Sequence, residues 1–332
     1  MKRSMLLITI GLLVGIALVG LAAPLKIGIC KIVEHPALDA VEQGTIDALT
    51  AAGYEEGVDV EYLLASAQGD YTVAVSIAQN FQAQGVDLVV AIATATAQAA
   101  AEVFRGTDTP VIYSAITDPV GAELVPDASD PSGNENITGV SDMINVGDDI
   151  RLLQELSDDI ESIGIIYNPG EANSVVLTDM AREAAENLGL SLIAASADTS
   201  ANVPIAAQSL IGRVDALYVT TDNTVVSAID SVLAVSQEAK IPFLVADPTS
   251  LAGATLAAGF DYYDLGLTTG ELVLRIQGGV LPNEIPVTFV SGAGIHLNLD
   301  EAALIGLEFP ASVAERAVAV LYGGATFTRN EE

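Results

Sequence analysis

The sequence predicts an α/β protein of two doubly wound, Rossmann-like lobes, each a parallel sheet covered by helices. Three observations predict it. From Leu25 onward short apolar runs alternate with amphipathic segments almost to the end of the chain. The alternation falls into two similar series, and 332 residues are too many for one ordinary domain and few for three. Composition agrees: 51% of the residues are apolar, only 5% are aromatic and Trp is absent, so Ala, Val, Ile and Leu must fill the cores. Buried parallel strands under Ala-rich helices suit that inventory.

The elements follow in order. A strand over 25–30 leads to a helix opening at Pro36, with Leu38, Val41, Thr45, Leu49 and Ala52 on its inner face and Gly53 as its stop. A strand over 58–64 precedes a helix over 71–84, whose inner face is read as Val73, Ile77 and Phe81 and which ends at Gly85. A strand over 87–93, a helix over 95–104 and a strand over 110–116 complete one lobe. The Pro/Ser/Gly/Asn-rich stretch 126–136 reads as a surface loop, and near Val140 the chain crosses to the second lobe. There the spacing predicts helices over 147–156, 174–188, 203–212 and 224–239, alternating with strands over 162–167, 190–195, 216–220 and 241–246. No residue-level repeat relates the two series.

The amino terminus has its own pattern. Met1, Lys2 and Arg3 are followed by an apolar run from Met5 to Ala23, the charged start and hydrophobic middle of a secretory signal. Export to the periplasm or cell exterior is therefore expected. Pro24 disfavours cleavage directly before it, which leaves the bond after Ala22. The run is also long enough to span a bilayer, so an uncleaved N-terminal anchor is the alternative.

Charge and chemistry exclude several classes. With 12 Lys and Arg against 44 Asp and Glu, the formal charge is −32, and nucleic acid is excluded as a partner because no basic face can be assembled. The acids read as a solvated surface. One Cys permits no internal disulfide, and the two His, His35 and His296, are far apart with no zinc motif around them. Cys30 is read as an inert strand residue. Neither a Gly-x-Ser-x-Gly elbow, a phosphate loop nor a Cys–His pair is present, so no cofactor and no enzymatic activity are expected.

Ligands of open α/β sheets bind beyond the carboxyl ends of the strands. The unusual polar residues fall there: Glu34 and His35 after the first strand, Gln68 to Asp70 after the second, Thr94 and Thr96 after the third, Thr117 and Asp118 after the fourth. The second lobe contributes Asn168, Glu171, Asn173 and Ser174, then Thr221, Asp222 and Asn223, then Asp247. Singly, each is an ordinary cap or turn residue. As a set they would converge from both lobes on one cleft. Asp118 or Asp222 would meet a ligand ammonium, while Thr94, Thr96 and Ser174 stand where helix N-termini could hold a carboxylate. Those groups together fit an α-amino acid.

Six motifs in order carry a family resemblance: Val33-Glu34-His35-Pro36-Ala37-Leu38-Asp39-Ala40, Ala67-Gln68-Gly69-Asp70, Thr117-Asp118-Pro119-Val120, Asn136-Ile137-Thr138-Gly139-Val140-Ser141-Asp142, Tyr167-Asn168 with Glu171-Ala172-Asn173-Ser174, and Asp222-Asn223. From Leu25 to Gly279 the chain resembles the substrate-binding proteins of ABC importers that include tryptophan- and phenylalanine-binding members. The resemblance implies a type I periplasmic-binding-protein fold with three crossovers. Lobe 1 would comprise 24–141 and 253–282, and lobe 2 would comprise 142–252 and 283–332, after a signal or anchor over 1–23. It implies a monomeric, extracytoplasmic solute-binding protein that passes an amino acid to a permease and ATPase encoded elsewhere. Glu34, Gln68, Thr94, Thr117, Asp118 and Asp142 would line the cleft from lobe 1 and its hinge, and Asn173, Ser174, Asp222, Asn223 and Asp247 from lobe 2. Two departures stand out: Cys30-Lys31 stands where a polar residue such as Gln is expected, and the absence of Trp limits aromatic stacking to Tyr and Phe, with Tyr71, Tyr113 and Tyr167 as candidates for an aromatic wall or for core packing. A sugar- or nucleoside-binding protein of the same fold is the alternative, disfavoured by the scarcity of Arg at the strand ends.

Overall fold

The structure, a computed structural model, describes residues 23–329; the signal or anchor expected over 1–23 lies, but for Ala23, outside the described residues. Among the described residues no helix is long and apolar enough to cross a membrane. The first sheet is built by β1 (Leu25–Lys31), α1 (Pro36–Ala51), β2 (Val60–Ser66), α2 (Tyr71–Gln84), β3 (Leu88–Ile92), α3 (Thr94–Phe104), β4 (Val111–Ile116) and β5 (Ile137–Ser141). A second series follows with α4 (Val146–Gln154), β6 (Ser162–Tyr167), α5 (Ala172–Asn187), β7 (Ser191–Ser196), α6 (Val203–Gln208), β8 (Ala216–Val219), α7 (Asn223–Val226), α8 (Ile229–Ala239), β9 (Phe243–Val245) and β10 (Leu256–Gly259). The chain then passes through α9 (Tyr262–Gln277) and β11 (Thr288–Phe289), and ends with β12 (Gly294–Asn298), α10 (Leu299–Ile305), α11 (Ala311–Ala314), β13 (Ala317–Tyr322) and β14 (Ala325–Thr328).

Six strands pair in the order β11-β5-β4-β3-β1-β2, all parallel. Eight pair in the order β14-β13-β12-β10-β9-β8-β6-β7, with antiparallel steps at β10–β12 and β13–β14. Every residue of β3, β4 and β5 is buried, as strands covered on both faces must be. Each sheet has a core on either side of it, so the molecule is two α/β lobes.

Sheet membership moves two boundaries drawn from the sequence. β10 continues the second sheet, with Leu256 beside Leu244 and Ala257 beside Val245, so the return to the first lobe comes at residues 260–261 and not at 253. β11 joins the first sheet, with Thr288 beside Val140, so the last crossover follows Phe289 and not 282. Strands of four and two residues carry too little periodicity to be assigned to a sheet from sequence. The helix expected over 224–239 is broken at Ser227 and Ala228 into α7 and α8. In α2 the buried face is Ala74, Ala78 and Phe81, with Val73 exposed, and Ala52 at the end of α1 is also exposed.

The return segment is fixed by a close helix crossing. α9 lies against α1 at a separation only glycine permits: a Cβ on Gly44 would sit 2.3 Å from the Tyr263 carbonyl oxygen, and one on Gly266 would sit 2.4 Å from that of Val41. Thr45 seals the crossing by donating its hydroxyl to the carbonyls of Val41 (2.8 Å) and Gly266 (3.2 Å). Gly266→Val is therefore expected to destabilise the fold by at least about 2 kcal/mol through overpacking against backbone that cannot recede. Urea unfolding checks this, and an unchanged midpoint would show that the crossing is not tight.

Candidate ligand site between the lobes

The carboxyl ends of both sheets face each other across a cavity with about 440 Å³ of space between atoms, part of it open to solvent. Thr94, Thr117 and Asp142 line it from the first lobe and hinge, and Asn173, Asp222, Asn223 and Asp247 from the second. These are seven of the residues expected from the sequence. The lobes touch over it: the Thr117 and Thr221 hydroxyls are 3.4 Å apart, and His35 Nε2 lies 3.7 Å from Asp247 Oδ2.

The first lobe leaves its groups unsatisfied. α3 begins immediately after Ala93, whose φ of 77° and ψ of 155° belong to a region glycine normally occupies, and no side chain caps the helix. Its first-turn amides and their partial positive charge are thus available at the cavity wall. Ala115, at φ 56°, is the second left-handed alanine in the wall. Asp142 is 3% exposed, and its Oδ2 accepts a 3.1 Å hydrogen bond from the Tyr262 hydroxyl while its Oδ1 has no partner among the described residues. Burial pushes its carboxyl up to about 6.

The carboxylates that the second lobe places at the site are satisfied from within it. Asp222 Oδ2 accepts from the Ser174 hydroxyl and from the Asn168 amide at 2.6 Å, and its Oδ1 caps α7 through the Val225 amide at 2.8 Å. Burial, and then the nearby Glu171 carboxylate, push Asp222 up to about 7. Glu171 itself accepts from the amides of Asn223 (3.1 Å) and Thr224 (2.9 Å) and from the side chains of both residues. Asp247 caps its own turn, accepting from the Thr249 amide and hydroxyl and the Ser250 hydroxyl. His35 Nδ1 accepts from the Ala37 amide at 3.2 Å, so its Nε2 carries the proton toward Asp247; burial lowers the His35 pKa.

Five residues expected in the cleft stand elsewhere. Glu34 and Gln68 line a wider outer cavity, which shares Asn173 and Asn223 with the inner one. Thr96 is turned into the first turn of α3 and donates to the carbonyls of Ile92 and Ala93. Ser174 lies behind Asp222 and holds it. Asp118 folds onto its own turn, accepting from the amides of Val120 (3.2 Å) and Gly121 (2.9 Å), and takes no part in the wall. Both oxygens of Asp222 accept hydrogen bonds, and Asp118, bonded through Oδ1 alone, is not part of the wall, so Asp142 is the lining residue with a free oxygen.

His35 and Thr221, from the polar set at the strand ends, also line the wall, as do Leu38, Val226 and Tyr262, which were not expected there. Tyr262 was hidden because it opens the helix that follows the misplaced crossover. The three Tyr considered for an aromatic wall lie outside the inner cavity: Tyr113 is in the core, Tyr71 lines the outer cavity and donates its hydroxyl to Glu102, and Tyr167 ends β6. Lys31 turns away as well, its ammonium bound by Asp39 (2.6 Å), Glu34 (2.9 Å) and Glu42 (3.4 Å). Burial pushes the Cys30 thiol up to about 12, leaving it un-ionised.

The model of the family described as ABC transporter substrate binding protein matches residues 26–321. A tyrosine-binding protein of Clostridioides difficile is 36% identical over 284 residues, 85% of this chain and 81% of that protein. A Streptococcus pneumoniae ABC domain solved in complex with L-Trp is 31% identical, with a TM-score of 0.85 over 90% of this chain and 100% of that one. A ligand-free, open substrate-binding protein of Clostridium difficile is 36% identical but superposes with a TM-score of only 0.66, over 86% of this chain and 96% of that one. Higher identity with poorer superposition is what a rotation between lobes produces, and the contacts across the cavity place this chain's lobes in the closed arrangement. The chain belongs to the ABC transporter substrate-binding protein family.

Proposed function

We propose that this chain is the extracytoplasmic solute-binding component of an ABC importer and that its cargo is an α-amino acid with an aromatic side chain. One observation carries the reading: a single interlobe cavity contains both a buried carboxylate with a free oxygen, Asp142, and an uncapped helix N-terminus, that of α3. The ligand's ammonium donates to Asp142 Oδ1, and its carboxylate takes the first-turn amides of α3 with the Thr94 hydroxyl. A neutral sugar would leave Asp142 without a countercharge in a buried place. Leu38, Val226 and Tyr262, with Ala37, Ala93 and Ala115 taking little room, form an apolar surround for a large side chain. The tyrosine and L-Trp named for two relatives support that choice.

Binding then works by population shift, because only a ligand that contacts both lobes favours the closed form. The chain acts as a monomer outside the cytoplasm, either free after cleavage of its signal or held by an uncleaved N-terminal segment, and the partner permease reads closure.

Thermal melting of the mature chain against amino acids, sugars and nucleosides tests this. Tyrosine, tryptophan or phenylalanine at about 100 times Kd should stabilise the fold by roughly 2.7 kcal/mol. Stabilisation by sugars alone would sink the assignment, and stabilisation by aliphatic amino acids alone would remove its aromatic part. Asp142→Asn should weaken the amino acid by about 10- to 100-fold in calorimetric titration while leaving the free protein folded.

The pH dependence has a definite sign. Asp142 rises from 3.8 to about 6 in the folded, unliganded chain, so the fold holds this proton more tightly than the unfolded chain does. Its stabilising contribution is complete below about pH 4 and is lost as pH climbs through 6. Melts of the free protein should therefore show stability falling across that window, with the fall reduced in Asp142→Asn. An identical profile in both proteins would contradict it. Affinity for the amino acid should move oppositely, rising as Asp142 ionises.

A further inference from the structure

We propose that a second cavity, beside the hinge in the second lobe, binds a small organic ammonium ion with a hydrocarbon body. It encloses about 840 Å³ of space between atoms, partly open to solvent, and is bordered by chain from all three crossovers. Ile144 follows the first, Ala258 precedes the second and Ile295 follows the third. These supply an apolar floor.

The charges around the cavity do not balance, and the surplus belongs to one residue. Arg151 is paired with Asp148 at 2.7 Å, and Arg316 with Glu155. Asp149 is left. It is 7% exposed and lines the cavity, its Oδ2 accepts from the buried Tyr218 hydroxyl at 2.6 Å, and its Oδ1 accepts no hydrogen bond among the described residues. A carboxylate buried this deeply is unfavourable unless a cation reaches it. Burial accordingly pushes its carboxyl up to about 7. An alkylammonium placed on Oδ1 with its chain over the apolar floor would supply both the charge and the covering that the site lacks. The amino-acid cleft is lined by none of these residues, and the inference stands independently of what the cleft holds.

The test uses n-butylammonium chloride titrated calorimetrically into the mature chain at about pH 8 and ~0.15 M salt, where loose accumulation of cations on the acidic surface is screened. One saturable site is expected, with n-butanol as the uncharged control giving none. Asp149→Asn should weaken binding by at least about tenfold. Ala293→Trp, placed on an exposed loop residue of the cavity wall where folding is not at stake, should block it by filling the space. Absence of saturable binding to the unsubstituted chain, or binding that survives both substitutions, overturns the proposal.

Discussion

The closed arrangement of this molecule depends on the disposal of buried negative charge. Asp142, Asp222 and Asp247 are all more than nine-tenths buried around one cavity, and the histidine that lines it with them, His35, is held neutral by burial. Removing a carboxylate from water costs several kcal/mol unless a charge or hydrogen bonds replace the lost hydration. Asp222 and Asp247 have those hydrogen bonds; Asp142 has one and lacks the rest. An empty cleft therefore opposes closure at neutral pH, because opening rehydrates Asp142. A cationic group bound there removes the opposition.

That cost is distributed unevenly between the lobes. On the second lobe, Glu171 and Asp222 consume the amides at the start of α7, and Ser174 and Asn168 consume the remaining valence of Asp222, so these carboxylates are satisfied without a ligand. On the first lobe and hinge, the α3 amides and Asp142 Oδ1 are bare. A free carboxylate oxygen and uncapped helix amides on one side and satisfied carboxylates on the other favour capture by the first lobe followed by contact with the second. The left-handed backbone at Ala93 serves the same end, since it turns α3 so that no side chain reaches its N-terminus.

The alternation of elements was legible because parallel strands buried on both faces leave uninterrupted apolar runs, as in β3 and β4. Its failures were local. The inner face of α2 was read around Val73 because large apolar residues dominate a periodicity argument, whereas the helix buries Ala74 and Ala78 and leaves Val73 in solvent. At the site, position along the chain was readable and orientation was not. Asp118, Asp142 and Asp222 all follow strand ends, but whether a carboxylate folds onto its own turn, caps a neighbouring helix or keeps a free oxygen depends on which amides lie within reach in three dimensions. Thr94 and Thr96 show the same limit: two residues, about 200° around the helix, separate a residue on the cavity from one donating back to the strand.

Tyr262 links the site to the hinge in a way only the topology reveals. Asp142 is the first residue after β5, where the chain leaves the first sheet, and Tyr262 opens α9, where the chain comes back to it. Their hydrogen bond thus joins two of the three connections between the lobes. Atoms near a rotation axis move least, so the Asp142 carboxylate keeps its place as the lobes turn, while the pairs that span the cleft, Thr117 with Thr221 and His35 with Asp247, separate. A ligand anchored at the hinge is then already in position when the distal contacts form, and closure needs only rigid-body rotation around a fixed point of attachment.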